Sequence, residues 1–207
     1  MSSIIKAHLN KYKWLASALD DTGCFTDSTI EKRPKFMRYI HVIYGEAMAT
    51  NGAVVHILPT PELDDGCYEL QGAQLVKVDG VDVPPTYNPR QVINERVFLY
   101  YDDLVTKSIQ DFKPAFIGRM LKLKRGHLTF SREYLTQATN YNERNAFEIA
   151  STGNNGFAFG VNEFGTFFVL ALKRPSLKTR LRMAAIVLMA TYNKIIDRFT
   201  SGQTTTK

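Results

Sequence analysis

Between residues 36 and 101 the apolar side chains come in short runs punctuated by turn dipeptides, and that pattern constrains the chain more than any other feature. Residues 36–44 are rich in aromatic and β-branched side chains, and residues 53–58 repeat that character after Asn51-Gly52. Such runs favour extended backbone, and Asn-Gly favours a tight reversal, so the spacing predicts a hairpin. Further short strands are expected at 67–70, 74–78, 81–83 and 96–101, with Asp79-Gly80 as a turn and Pro84, Pro85 and Pro89 holding an extended loop. The expectation is a central antiparallel sheet or small barrel over residues 36–101.

On either side the period changes to that of helices. Ile5, Leu9, Tyr12, Leu15 and Leu19 recur on one helical face over residues 3–19. Over 111–125, Phe112, Phe116, Ile117, Met120 and Leu121 share a face, Pro114 suits a first turn and Gly126 a C-terminal stop. A second helix is read over 131–147, its apolar face interrupted by Asn140, Asn142 and Asn145. Residues 157–161 and 166–172 read as a second hairpin. The longest helix is expected over 176–199. Its stripe includes Leu181, Leu188 and Ile195, while Met183, Ile186, Val187 and Met189 lie off that stripe. Apolar residues around the whole circumference imply burial on more than one side, by a neighbouring subunit or by the monomer's own core. No internal repeat or linker is read, so residues 1–207 are expected to form one α+β domain: a central sheet, flanking helices and a long C-terminal helix.

With 207 residues, 44% hydrophobic and 22% charged, the chain is in the globular class rather than the disordered or fibrous ones. Cys24 and Cys67 lie outside any ligand cluster and read as packed thiols. Lys6, His8, Lys11 and Lys13 interrupt any apolar signal core, which predicts a protein made in a host cytoplasm. The longest apolar run, residues 183–190, falls short of the roughly 20 residues a membrane span needs, so no membrane partner is expected.

Charge is unevenly distributed. Residues 1–103 hold 10 Lys/Arg against 14 Asp/Glu, and residues 104–207 hold 16 against 6. If the two halves form different faces, copies attract one another head to tail, a geometry that closes into rings or extends as filaments. The candidate nucleic-acid or partner-binding residues are Arg119, Lys122, Lys124, Arg125, Lys173, Arg174, Lys178, Arg180 and Arg182, with Met183, Ile186, Val187 and Met189 as candidate interface residues.

Motifs for chemistry are sparse. Residues 97–104 form an apolar run ending in Tyr100-Tyr101-Asp102-Asp103, which resembles the palm hairpin of reverse transcriptases. That resemblance implies paired aspartates helping to hold two Mg²⁺ ions for displacement at phosphate. It covers eight of 207 residues without an accompanying polymerase motif, and the plainer expectation is that Asp102 or Asp103 caps a helix beginning near Leu104. His8, His41, His56 and His127 show no helical ligand spacing, and neither a phosphate loop nor a GxSxG elbow occurs. The chain therefore reads as a non-enzymatic structural subunit of a symmetric homo-oligomeric assembly, without metal or cofactor. The expected setting is a virus or bacteriophage particle, where a head-to-tail adaptor, neck or tail-completion ring contacts other structural proteins. The alternative is a matrix or nucleocapsid-type protein making non-specific DNA or RNA contacts through the basic half.

Overall fold

The computed structural model describes residues 10–20, 34–81, 83–84, 86–115, 118–152 and 155–172. Among these residues three short α-helices lie among many strands. Helix α1 (Lys11–Ser17) starts where the Asn10 side chain accepts from the Lys13 amide at 2.8 Å. Helix α2 (Pro89–Leu99) starts at Asn88, which accepts from the Gln91 amide, and has proline in its first turn. Helix α3 (Arg132–Ala138) is capped by Ser131. Each cap satisfies an amide that the first helical turn leaves without a partner.

The strands in chain order are β1 (Ile40–Ile43), β2 (Glu46–Thr50), β3 (Val54–Pro59), β4 (Gly66–Gln71), β5 (Gln74–Val78) and β6 (Val105–Lys107). They continue with β7 (Phe112–Ala115), β8 (Met120–Leu123), β9 (Thr129–Ser131), β10 (Phe147–Thr152), β11 (Asn155–Val161) and β12 (Thr166–Leu170). Nine of them make one antiparallel sheet in the order β5-β4-β1-β2-β3-β12-β11-β10-β6, and β7-β8-β9 make a second, three-stranded sheet. Tyr44 and Gly45, both at positive φ, reverse the chain between β1 and β2. Two successive left-handed residues make the tight turn whose twist matches a hairpin.

The middle of the large sheet is buried on both faces. Successive strand residues point to opposite sides, so Phe167 enters one core with Trp14, Leu135 and Phe147, while neighbouring Phe168 enters another with Met48, Ile57, Ile93 and Phe157. Helices α1 and α3 and the small sheet cover the first face. Phe112 of β7 stacks on Phe147 at 6.1 Å and meets Phe130 edge-on at 5.8 Å. Helix α2 covers part of the second face through Ile93.

A repeat runs through this architecture. Helix α1 followed by β1, β2 and β3 matches α3 followed by β10, β11 and β12, and the two sets meet antiparallel at the β3–β12 seam. A local two-fold through that seam exchanges them. The buried helix residues share a pattern, Trp14-Leu15 with Ala18 and Tyr134-Leu135 with Ala138. Asn51 accepts from the amides of Ala53 and Val54, and Asn162 accepts from those of Phe164 and Gly165. Each asparagine also donates to a carbonyl near its own repeat's helix, Asn51 to Asp20 beyond the end of α1 at 2.7 Å and Asn162 to Ala138, the last residue of α3, at 2.8 Å. No internal repeat is read from the sequence, and this one is a likeness of topology. The symmetry lives in turn chemistry and pairing, which few identical residues betray.

The α+β expectation gives way to a mostly β fold. The large sheet draws four of its nine strands, β6, β10, β11 and β12, from residues 105–170, so it is not confined to 36–101. Residues 111–125 form β7, β8 and their connection rather than a helix. Gly118, at φ +77°, sits in that connection, and Phe112, Leu121 and Leu123 bury alternate positions with exposed Lys113 and Lys122 between them. Residues 96–101, expected as a strand, continue α2 and its closing turn, because Asn88 and Pro89 start a helix that the following β-branched and aromatic residues do not stop. The helix expected over 131–147 ends at Ala138, where Asn140 and Tyr141 take positive φ, and Phe147 already belongs to β10. The helices expected over 3–19 and 176–199 fall wholly or partly outside the described residues.

Candidate functional site

Two surfaces and one buried cluster are candidates for function. The first surface lies where α2 ends and β6 begins. Phe98 is 82% exposed, Leu99 71%, Tyr101 70% and Val105 49%, a concentration of large apolar groups within a short stretch of chain. Val97 and Tyr100 turn inward against the second core, so the same stretch anchors itself with one side and presents the other. Asp102 and Asp103 sit in the single turn between α2 and β6, both exposed. No helix starts at Leu104, so the capping role expected for them is corrected. Among the described residues no group of three His, Cys, Asp or Glu side chains converges as metal ligands would.

Among the described residues strand β6 is also an end of the large sheet, pairing with β10 alone, and β5 is the opposite end, pairing with β4 alone. Both strands are largely exposed, and β5 presents Val76 at 39% exposure. Open edges carry a row of unpaired amides and carbonyls ready to accept another strand. Near β5, residues 61–79 carry Glu62, Asp64, Asp65, Glu69 and Asp79 against Lys77 alone, and all six are exposed. Lys11 reaches Glu62 at 3.6 Å across solvent, a contact that contributes little.

The second surface is the outer face of the small sheet. Lys113 on β7 stands directly opposite Lys122 on β8, and Lys122 faces Thr129 on β9. Arg119 and Arg125 are exposed at the two ends of β8, and the structure places exposed Lys122 and Lys124 between them. It adds Lys113, which a helical reading of 111–125 had separated from them. Lys124 donates to the Gln110 carbonyl at 2.6 Å and Arg132 to that of Gly118. Lys173, Arg174, Lys178, Arg180, Arg182, Met183, Ile186, Val187 and Met189 lie outside the described residues.

The buried cluster is Cys67, His41 and Tyr87 behind Phe36. His41 Nε2–H donates to the Phe36 carbonyl at 2.7 Å, leaving Nδ1 to accept from the Cys67 thiol at 3.5 Å. Geometrically this is a nucleophile, a base and an orienting carbonyl. Electrostatically it is the reverse of an activated pair. Burial raises the Cys67 pKa and lowers that of His41, so both settle in their neutral forms. The Tyr87 ring packs edge-on against His41 and Phe36, and burial raises the pKa of its hydroxyl as well. Packing accounts for this cluster. On the same side, an apolar cavity of about 330 Å³ lies between α2, β3 and β12, with Arg96 its one charged lining residue among those described.

No family model, curated protein or solved structure matches this chain.

Proposed function

We propose that the protein is a non-enzymatic structural subunit whose copies join head to tail by adding the β6 edge of one to the β5 edge of the next. The observation that carries this reading is the cluster of Phe98, Leu99, Tyr101 and Val105 beside a sheet edge that no other described strand covers. Exposed apolar groups of this kind mark interaction surfaces, and the two free ends of one sheet give each copy a donor edge and an acceptor edge. Such a contact is heterologous, and repeating it closes a ring or extends a filament. Val76 on β5 and Val105 on β6 supply apolar groups at both partners of the joint. The proposed setting is a virus or bacteriophage particle, as an adaptor, neck or tail-completion ring. A component whose work is shape and stacking needs edges rather than an active site.

Light scattering tests the reading. The wild type is expected as a multiple of the chain mass that persists at 1 M NaCl, because an apolar, backbone-paired joint is little screened. The double variant Phe98→Ser, Leu99→Ser is expected as a monomer with an unchanged circular dichroism spectrum, both side chains being exposed. A wild type that stays monomeric at 100 µM sinks the proposal.

A further inference from the structure

We infer that the outer face of β7–β9 is a docking surface for the phosphate backbone of a nucleic acid, independent of the edges that join copies. Residues 107–132 carry seven Lys and Arg and a single acid, Asp111. That one carboxylate is engaged locally, accepting from the backbone amide and hydroxyl of Ser108 in a capping box. Among the described residues Lys113, Lys122 and Arg125 have no acidic partner. Placing like charges directly opposite one another on paired strands is unfavourable for the sheet itself, so Lys113 facing Lys122 is an arrangement that folding alone does not select.

What favours a nucleic acid over an acidic protein as the occupant is that, among the described residues, the three strands of this face carry no exposed large apolar group. A protein interface of useful affinity needs a desolvated apolar core. Between residues 106 and 160 no large hydrophobic side chain among the described residues is exposed, whereas the α2–β6 surface has four within eight positions. A cationic face without an apolar centre suits a partner held by counterion release, which is how phosphate backbones bind. Lys122 lies between buried Leu121 and Leu123, so its side chain leaves the outer side of β8, with Lys113 and Thr129 opposite it on the two neighbouring strands, and exposed Lys124 follows just past the strand, its ammonium on the Gln110 carbonyl. Contacts of this kind go to phosphates rather than to base edges, so binding is insensitive to sequence.

The test is fluorescence anisotropy of the full chain with a labelled 20-nucleotide oligo-dT at several salt concentrations. Three to four phosphate contacts predict a slope of about −2 to −3 for log affinity against log salt. The double variant Lys113→Glu, Lys122→Glu is expected to bind at least tenfold more weakly with a slope shallower by about 1.4. If that variant fails to fold, Lys113→Gln and Lys122→Gln singly are each expected to flatten the slope by about 0.7. A slope near zero, or wild-type affinity in the folded charge variants, overturns the inference. So does competition by poly-glutamate as effective as that by unlabelled oligo-dT at equal charge, which assigns the face to an acidic protein. Repeating the titration with the Phe98→Ser, Leu99→Ser variant separates this face from assembly: a slope that survives in the monomer supports the inference, and one that vanishes overturns its independence.

Discussion

In the first repeat the seam residue on β3 is His56, fully buried beneath Trp14. In the second, the position reached by superposing Asn51 on Asn162 is Phe167 on β12, packed against Phe147. His56 and Phe167 are also direct cross-strand partners, as a two-fold through the seam requires. The same backbone is thus filled by two chemistries. His56 lies flat on the Trp14 indole with ring centroids 4.3 Å apart, and its Nδ1–H donates to the Trp14 carbonyl at 2.8 Å. Trp14 Nε1–H in turn donates to the Ala138 carbonyl, tying α1 to the end of α3. The second repeat instead relies on aromatic packing, and a Cβ at Gly160 would come within 2.7 Å of the Phe167 ring and 2.8 Å of Phe147. The polar repeat is locked to its neighbour by hydrogen bonds, the apolar one by shape.

That difference is open to measurement, and the largest expected effect is at Trp14. Trp14→Ala empties a buried indole site and removes the tie to α3, so urea unfolding is expected to show a loss of about 3–5 kcal/mol. Leu135→Ala, which removes the fully buried leucine of α3 in the second repeat, is expected to lose less, about 2–4 kcal/mol. Equal losses would break the view that α1 carries the link between repeats.

Next comes pH. Burial lowers the pKa of His56 from 6.5 to about 4, against the opposing effect of its bond to the Trp14 carbonyl, and burial lowers that of His41 as well. Between those values the unfolded chain binds more protons than the folded one, so stability rises with pH. The His56 contribution is fully present above 6.5 and is lost as pH falls towards 4, by about 3 kcal/mol. Thermal melts of His56→Phe, which makes the first repeat resemble the second, are expected to show a shallower loss over that window. The same acid sensitivity in wild type and variant would remove His56 as its source.

The smallest effect sharpens the symmetry itself. Asn51→Ala and Asn162→Ala both break the side-chain turn that enters the third strand of a repeat. Asn51 additionally donates to the Tyr134 hydroxyl at 2.8 Å, across the repeat boundary. Asn51→Ala is therefore expected to cost about 1 kcal/mol more than Asn162→Ala, and Tyr134→Phe in the Asn51→Ala background is expected to add little. A double-mutant cycle checks this, and a coupling of zero contradicts the bridge.

Much of the local structure was legible. The turn at Asn51-Gly52, the strands over 67–70 and 74–78, the hairpin of 157–161 with 166–172 and the helix start at Ser131 all follow from signals within a few residues of one another. Residues 96–101 and 111–125 were misread because short apolar segments satisfy helical and strand periods alike. Asn88-Pro89 and Gly118 were the signals that could have decided them. The candidate basic residues of 119–125 were legible as charge, but Lys113 joined them only through β-pairing. The apolar surface at Phe98, Leu99, Tyr101 and Val105 was hidden inside what looked like a core strand.

Sequence alone determined where this chain turns, which segments are apolar enough to be buried and how unevenly its charge is spread, because those properties depend on neighbouring residues and simple counts. Only the tertiary structure decided that residues 166–169 pair with residues 54–57, that two halves without evident likeness share one backbone, and that Lys113 and Lys122 face each other. Those outcomes depend on strand pairing between residues far apart in the chain, and the backbone hydrogen bonds that specify it are common to every residue type except proline.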